Sequence, residues 1–428
     1  MENAHSDRII NYALKTCGYY PLRAMQLWLV DTHFNKANST MMNIGVFMKI
    51  PPEIDLQRLA QAVNDTLNAH DIGHCRLCFH PETNDLCQRF DGEIFHATIE
   101  KISDEELERR KEDFKKPYEL INKPLYRFYF FETPTAQYIY MDFYHAIMDG
   151  TAITLIFMHE VDARYQGKQI KHNLPKYADY ILEEWRVSPD ELAAGNKFWQ
   201  AILYDFDETK HLPPADVKSD VVWNSENITV QINNINQKYF KSTARKETFF
   251  FLAVSMLTIA KTSGAKNSIM SMLHNGRYTA QERRLMGVMV EQIPIRWDFE
   301  NNLTVDEFLD GLEKNFNEGM KYRRSLGTIY SSGMQDECAT FIFQKKIYYP
   351  VIDGKELEIL ELPQNQWAAA ENTLDIEINQ LADGNYYLFL DYDAGRFSKT
   401  SMEKFAALFE NFVLKLQDTN KTVAEILK

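Results

Sequence analysis

The stretch Tyr144-His145-Ala146-Ile147-Met148-Asp149-Gly150 holds the side chains best suited to chemistry. An imidazole that titrates near neutrality can take a proton from an attacking amine or hydroxyl. Free N–H groups at a helix start can hold the oxyanion that such an attack creates. A bland reading stands beside this one: Asp149 as an ordinary helix N-cap and His145 as a strand-end histidine. The H-x-x-x-D-G spacing alone does not choose between them. The residues around it give the motif its place: Gln137 to Tyr144 reads as a strand and Thr151 to Tyr165 as a helix. A strand-to-helix turn puts side chains where a ligand can reach them, and Gly150 is expected to allow a backbone that other residues could not adopt.

Other chemistries find less support. Cys75 and Cys78 stand near His70, His74, His80 and Cys87, but no second Cys pair completes a zinc tetrahedron. Cys75, Leu77 and Phe79 alternate as on a strand with one buried face, so the thiols are expected to be packed and no metal site is assigned. His159-Glu160 lacks the second histidine of a metalloprotease helix, since Ala163 holds that position. Neither a G-x-S-x-G elbow, a phosphate-binding G-x-x-x-x-G-K-[ST] loop nor a G-x-G-x-x-G dinucleotide fingerprint occurs.

The elements that must position the motif alternate between strand and helix, which gives a mixed α/β fold class. Strands are expected at Met42 to Ile50, Leu125 to Glu132, Ser268 to Leu273, Met286 to Arg296, Thr373 to Asn379 and Tyr386 to Tyr392. Helices are expected at Asp55 to Asn68, Ala178 to Trp185, Ala193 to Leu203, Lys246 to Ser263, Val305 to Arg323 and Lys399 to Leu416. Ser103 and Glu106 form a capping box for a helix running to about Phe114, and Asp383-Gly384 reads as a hairpin turn. At 428 residues the chain is long enough for roughly two or three domains. The polar stretch Gly167 to Pro175 marks the expected boundary, dividing the chain into 1–170 and 171–428.

Lys and Arg total 47 against 61 Asp and Glu, a net charge of −14 that repels phosphate backbones and anionic membrane surfaces. The first seventeen residues have no apolar signal core, and the longest apolar run, Phe249 to Ala260, falls far short of the ~20 residues that span a bilayer. With five scattered cysteines, at 17, 75, 78, 87 and 338, the expectation is a soluble, reduced, cytoplasmic protein with no membrane span and no nucleic-acid partner.

Taken in order, these pieces resemble the condensation domains of nonribosomal peptide synthetases and their acyltransferase relatives. The heptapeptide is similar to that family's H-H-x-x-x-D-G motif. Tyr20-Pro21-Leu22 with Met25-Gln26 resembles the opening segment, and Pro124-Leu125-Tyr126-Arg127 the strand entry before the motif. Asn275-Gly276-Arg277, Gly287-Val288-Met289-Val290 and Ile293-Pro294-Ile295-Arg296 resemble the G-R and F-V-N-T-L-P-L-R elements. The resemblance implies two lobes, each like a chloramphenicol acetyltransferase subunit, in a V-shaped pseudo-dimer with the histidine in a tunnel between them. It implies a thioester donor on the phosphopantetheine arm of an acyl- or peptidyl-carrier protein, or on coenzyme A, as co-substrate rather than a permanently bound cofactor. The acceptor that the resemblance implies is a small amine or alcohol.

In site terms, His145 is expected to act as the general base or to position the nucleophile and stabilise charge, and the backbone at Gly150 is expected to donate to the oxyanion. The resemblance nominates Arg277 as the partner of Asp149, a pair that braces the loop, and placement of that pair in solvent stays open. The chain departs from the family in two places. Tyr144 replaces the first histidine, and Glu291-Gln292 stand where Asn-Thr is common. Tyr144, Glu291 and Gln292 are therefore substrate-contact candidates, with packing or solvent placement as the alternatives. The expectation is a free-standing, monomeric acyltransferase forming an amide or ester. An alcohol O-acyltransferase and a non-catalytic docking module are the alternatives.

Overall fold

A computed structural model of the chain describes residues 18–428 apart from 36–38, 171–172, 208–209, 220–223, 237, 244–245, 300–302, 331–336, 346–348 and 364–371. The chain forms two compact units. The first comprises Met1–Val187, Asn275–Val290 and Tyr348–Ala368; the second comprises Ser188–His274, Glu291–Ile347 and Ala369–Lys428. The division differs from the expected 1–170 and 171–428 in two ways. It falls at residue 187, and it is not a single cut. The helix Tyr177–Glu184 stays with the first unit because Arg23 Nε and Nη2 reach the Glu184 carboxylate at 2.6 and 2.7 Å, and because Asp71 accepts from the Tyr177 and Ala178 N–H groups. The polar run after Gly167 is thus a connection inside a unit.

In chain order the strands used below are β1 (Asn43–Ile50), β2 (Cys75–Phe79), β3 (Leu86–Phe90), β4 (Ile99–Lys101), β5 (Tyr126–Glu132), β6 (Gln137–Tyr144), β7 (Ser225–Ile232), β8 (Asn267–His274), β9 (Glu291–Asp298), β10 (Thr340–Lys345), β11 (Glu358–Leu360), β12 (Leu374–Gln380) and β13 (Tyr386–Asp393). The helices used below are α1 (Ala24–Asn35), α2 (Leu56–Ala69), α3 (Asp104–Lys111) and α4 (Met158–Tyr165).

The first unit is built on a five-stranded sheet in the order β11-β1-β6-β5-β4, antiparallel except for the β4–β5 pair. The central strand β6 is largely apolar or aromatic on both sides because both of its faces are covered, and its one buried carboxylate, Asp142, is held by Arg127 and Asn43. On one face Phe47, Tyr140, Phe131, Phe114 and Leu107 form an aromatic core under α3. On the other, Phe143 and Phe128 receive Phe157 at 5.4 and 5.9 Å between ring centroids, which seats the helix following the motif. Helix α2 starts at Asp55, whose Oδ1 accepts from the Gln57 and Arg58 N–H groups. It lies against α4, where the Asp55 N–H donates to the Tyr165 hydroxyl and Arg58 sits over that ring. The expected single helix from Thr151 is wider in its first half, with a π-helical stretch at Ala152–Phe157 before α4. Such wide turns recur at functional sites.

The second unit holds a six-stranded sheet ordered β7-β13-β12-β10-β8-β9. Its β12–β13 hairpin turns at Gly384, whose φ of +88° needs no side chain in the way. Between β8 and β9, which pair with each other in this sheet, the chain leaves to supply Asn275–Val290 to the first unit.

Candidate active site

Three backbone anchors fix the turn that carries His145. Its N–H donates to the Met42 carbonyl at 2.8 Å, the Ile147 N–H donates to the Tyr144 carbonyl at 3.0 Å, and the Ala146 carbonyl accepts from Gln26 Nε2 at 2.8 Å. The His145 side chain is half-buried. Its Nδ1 is shielded and has no hydrogen-bond partner among the described residues, so whatever exposure the residue has lies elsewhere on it.

Asp149 is 3% exposed and uses both oxygens. Oδ1 caps the following helix by accepting from the Ala152 N–H at 2.7 Å. Oδ2 accepts from Arg277 Nη1 at 2.9 Å and from the Met289 and Val290 N–H groups at 2.7 and 3.2 Å. Arg277 is buried as well, and its Nη2 donates to the Leu285 and Gly287 carbonyls at 3.3 and 3.1 Å. The solvent alternative for this pair therefore does not hold. One carboxylate ties the end of the motif to the segment Asn275–Val290.

That segment also overturns one expected element. Met286 to Arg296 reads as a strand in the sequence, yet the strand begins only at Glu291. Side chains, not a neighbouring strand, take up the polar backbone of residues 285–290. Asp149 and Arg277 hold it as above, and the Val288 carbonyl accepts from Arg23 Nη1 at 2.6 Å and the Tyr177 hydroxyl at 2.8 Å. Close approach explains the glycine before Arg277. Gly276 has φ +66°, and a Cβ there would lie 1.7 Å from the Met289 carbonyl oxygen.

Gly150 is different. Its φ is not positive, and a Cβ on it would meet nothing within 4 Å, so the expectation that its backbone demands glycine is wrong. What the missing side chain does is leave the first residue of the helix bare and exposed.

Tyr144 is 0% exposed. Its hydroxyl donates to the Leu29 carbonyl at 3.4 Å, and its ring meets those of His33 and Tyr118 at 5.5 and 5.6 Å. Burial raises its pKa, which keeps the hydroxyl protonated. This placement fits packing rather than substrate contact. Glu291 and Gln292 lie in the second unit, both buried; Glu291 pairs in register with His274, and the Gln292 N–H donates to the Tyr330 hydroxyl at 3.1 Å. Solvent placement of Glu291 is thus excluded.

Sequence reasoning passed over the buried amide pair Gln26–Gln88. Each side chain donates to the other at 3.1 and 3.0 Å, Gln88 reaches the Pro21 carbonyl at 2.8 Å, and Gln26 holds Ala146 beside His145. The available signal was one amide in the otherwise apolar run Leu22 to Val30, interrupted only by Arg23. Arg23 was missed for the same reason. Gln26→Leu orphans the Ala146 carbonyl and removes both Gln26 bonds to Gln88, and should lower stability by about 1–3 kcal/mol in denaturant titration. An unchanged midpoint would show that the amide pair does not hold the turn.

With this geometry in hand, comparison with known proteins is decisive for the family. The condensation domain profile matches residues 17–427. The chain belongs to the condensation-domain family. Among curated relatives, this condensation domain is 24% identical over 69% of its length to bacitracin synthase 2 of Bacillus licheniformis, and 21% identical over 93% of its length to surfactin synthase subunit 2 of Bacillus subtilis. It spans only 12% and 11% of those relatives. Solved structures share its mixed α/β fold at 13–14% identity. The condensation domain of the monacolin K polyketide synthase MokA superposes with a TM-score of 0.76, covering 94% of this chain and 98% of that one. A starter condensation domain of rhizomide synthetase, in complex with C8-CoA, gives 0.75 over 96% and 97%. The X-domain in complex with OxyB from teicoplanin biosynthesis gives 0.77 over 95% of each. Among the described residues, no helix of this condensation domain is long and apolar enough to cross a membrane.

Proposed function

We propose that this condensation domain moves an acyl group from a phosphopantetheine thioester, on a carrier protein or coenzyme A, to an amine or alcohol. Membership of the family supports a transferase that forms amide bonds, and the C8-CoA bound by the rhizomide neighbour supports a pantetheine-borne donor. The observation that carries the reading is His145 on a turn pinned at three backbone points, immediately before a helix start bared at Gly150.

In this reading the acceptor loses its proton to the His145 imidazole as it attacks the thioester carbonyl. The N–H at the helix start receives the tetrahedral oxyanion, and collapse expels the pantetheine thiolate, which takes up the proton. Asp149 and Arg277 touch neither substrate; they hold the turn. Tyr144 acts as packing.

A binding module without chemistry is the second reading, favoured by Tyr144 in place of the motif's first histidine. One assay separates the two. Acyl-coenzyme A or acyl-carrier protein is incubated with the protein, and free thiol is followed with and without a panel of amines and alcohols. The proposal expects thiol release that depends on the acceptor. Donor binding with no release across the panel would establish the module instead.

A further inference from the structure

The hairpin β2–β3 carries a cysteine pair that takes no part in the chemistry above. Cys78 and Cys87 are direct cross-strand partners whose sulfurs lie 3.5 Å apart. The neighbouring bonds show which kind of pair they form. Gln88 exchanges both backbone hydrogen bonds with Tyr20, at 2.9 and 2.8 Å, so its own N–H and C=O point away from β2. The Leu77–Gln88 pair is therefore non-hydrogen-bonded, and Cys78–Cys87 is the hydrogen-bonded kind. Such partners have Cα atoms about 5.5 Å apart, inside the span of about 4.4–6.8 Å that disulfides bridge. Side-chain rotation can close the remaining gap without a change of register.

The surroundings favour reaction at Cys78. Arg76 and Arg89, the next cross-strand pair on the same face, flank it. The hydrogen bond shared with Cys87, and then the two guanidinium charges, lower the Cys78 pKa against its burial and against the Asp91 carboxylate that both arginines pair with, while the Cys87 thiol is raised. Cys75 projects from the opposite face, where its Sγ donates to Gln88 Oε1 at 3.6 Å. With Cys78 5% exposed and Cys87 fully buried, only a small oxidant can arrive.

We propose that Cys78 and Cys87 form a reversible disulfide within this hairpin on exposure to a hydroperoxide. The Cys78 thiolate attacks the terminal peroxide oxygen, the O–O bond breaks, and the departing alkoxide or hydroxide takes the proton that Cys78 lost. Cys87 Sγ then displaces the sulfenic hydroxyl of Cys78. The S–S bond forms, the S–O bond breaks, and water leaves with the Cys87 proton. Two thiols lose two electrons, and the peroxide is reduced by the same two.

Trypsin makes the test direct, since cleavage after Arg76 and Arg89 leaves both cysteines, and no others, in the peptide Leu77–Arg89. The full chain is treated with hydrogen peroxide, alkylated and digested. The expected peptide is lighter by two hydrogens, carries no alkyl group, and gains two after dithiothreitol. It should form at least ~10-fold faster than alkylation is lost at Cys75 or Cys338. In Cys87→Ser, Cys78 should persist as a sulfenic acid that a cyclic 1,3-dione traps. A Leu77–Arg89 peptide that keeps both alkyl groups, faster oxidation at Cys75 or Cys338, or Cys78 joined to another cysteine overturns the proposal.

Discussion

Asp149→Ala is expected to cost about 3–5 kcal/mol of stability, the range found when one partner of a buried ion pair is removed. The reason is visible in the number of donors that share this carboxylate. Arg277 Nη1 loses its anionic partner while remaining buried, and the N–H groups of Ala152, Met289 and Val290 lose their acceptor together. For a unit of this size the loss corresponds to a fall in melting temperature on the order of 10 °C. Because Asp149 joins the motif to Asn275–Val290, activity should fall with stability. A double-mutant cycle with Arg277→Ala should return a coupling of about 1–3 kcal/mol. A wild-type melting temperature for Asp149→Ala would refute the brace, whatever happened to activity.

His145→Ala has the opposite signature. The anchors of its turn use the His145 backbone N–H and the Ala146 carbonyl, and no hydrogen bond holds the ring itself among the described residues. Truncation at Cβ therefore leaves every anchor in place, and the melting curve should stay near wild type. Turnover should fall by at least ~10²-fold, the lower range for loss of a general base. The contrast between the two variants matters more than either alone, since a residue that merely packs would lose stability and activity together.

Much of this arrangement was legible in the sequence because local physics and tertiary packing agree there. The β6 strand, the hairpin turn at Gly384 and the helix Lys399–Leu416 all follow from periodicity and turn chemistry. At Ser103 only the N-cap half of the expected box forms, because the Glu106 carboxylate turns to Arg109 and Arg110, and the helix ends at Lys111 rather than near Phe114. The motif's position on a strand-to-helix turn follows from the same patterns. Residues 286–290 show where such reasoning stops. Their apolar composition is that of a strand, but three side chains remote in sequence, Arg23, Asp149 and Tyr177, replace much of the ladder. No window of sequence contains those partners. The two units interleave for the same reason, so a single boundary near residue 170 could not describe them. Gln26 was hidden differently: its role depends on the Ala146 carbonyl, and backbone acceptors leave no trace in residue identity.

The account rests on acyl transfer assisted by His145, and one experiment addresses it most directly. Wild-type protein and His145→Ala, each shown to be folded, are given the same acyl-pantetheine donor and amine in a single-turnover reaction, and the acylated amine is quantified by mass spectrometry. The account predicts product from the wild type at a rate at least ~10²-fold above the variant. Equal rates from the two proteins would contradict it.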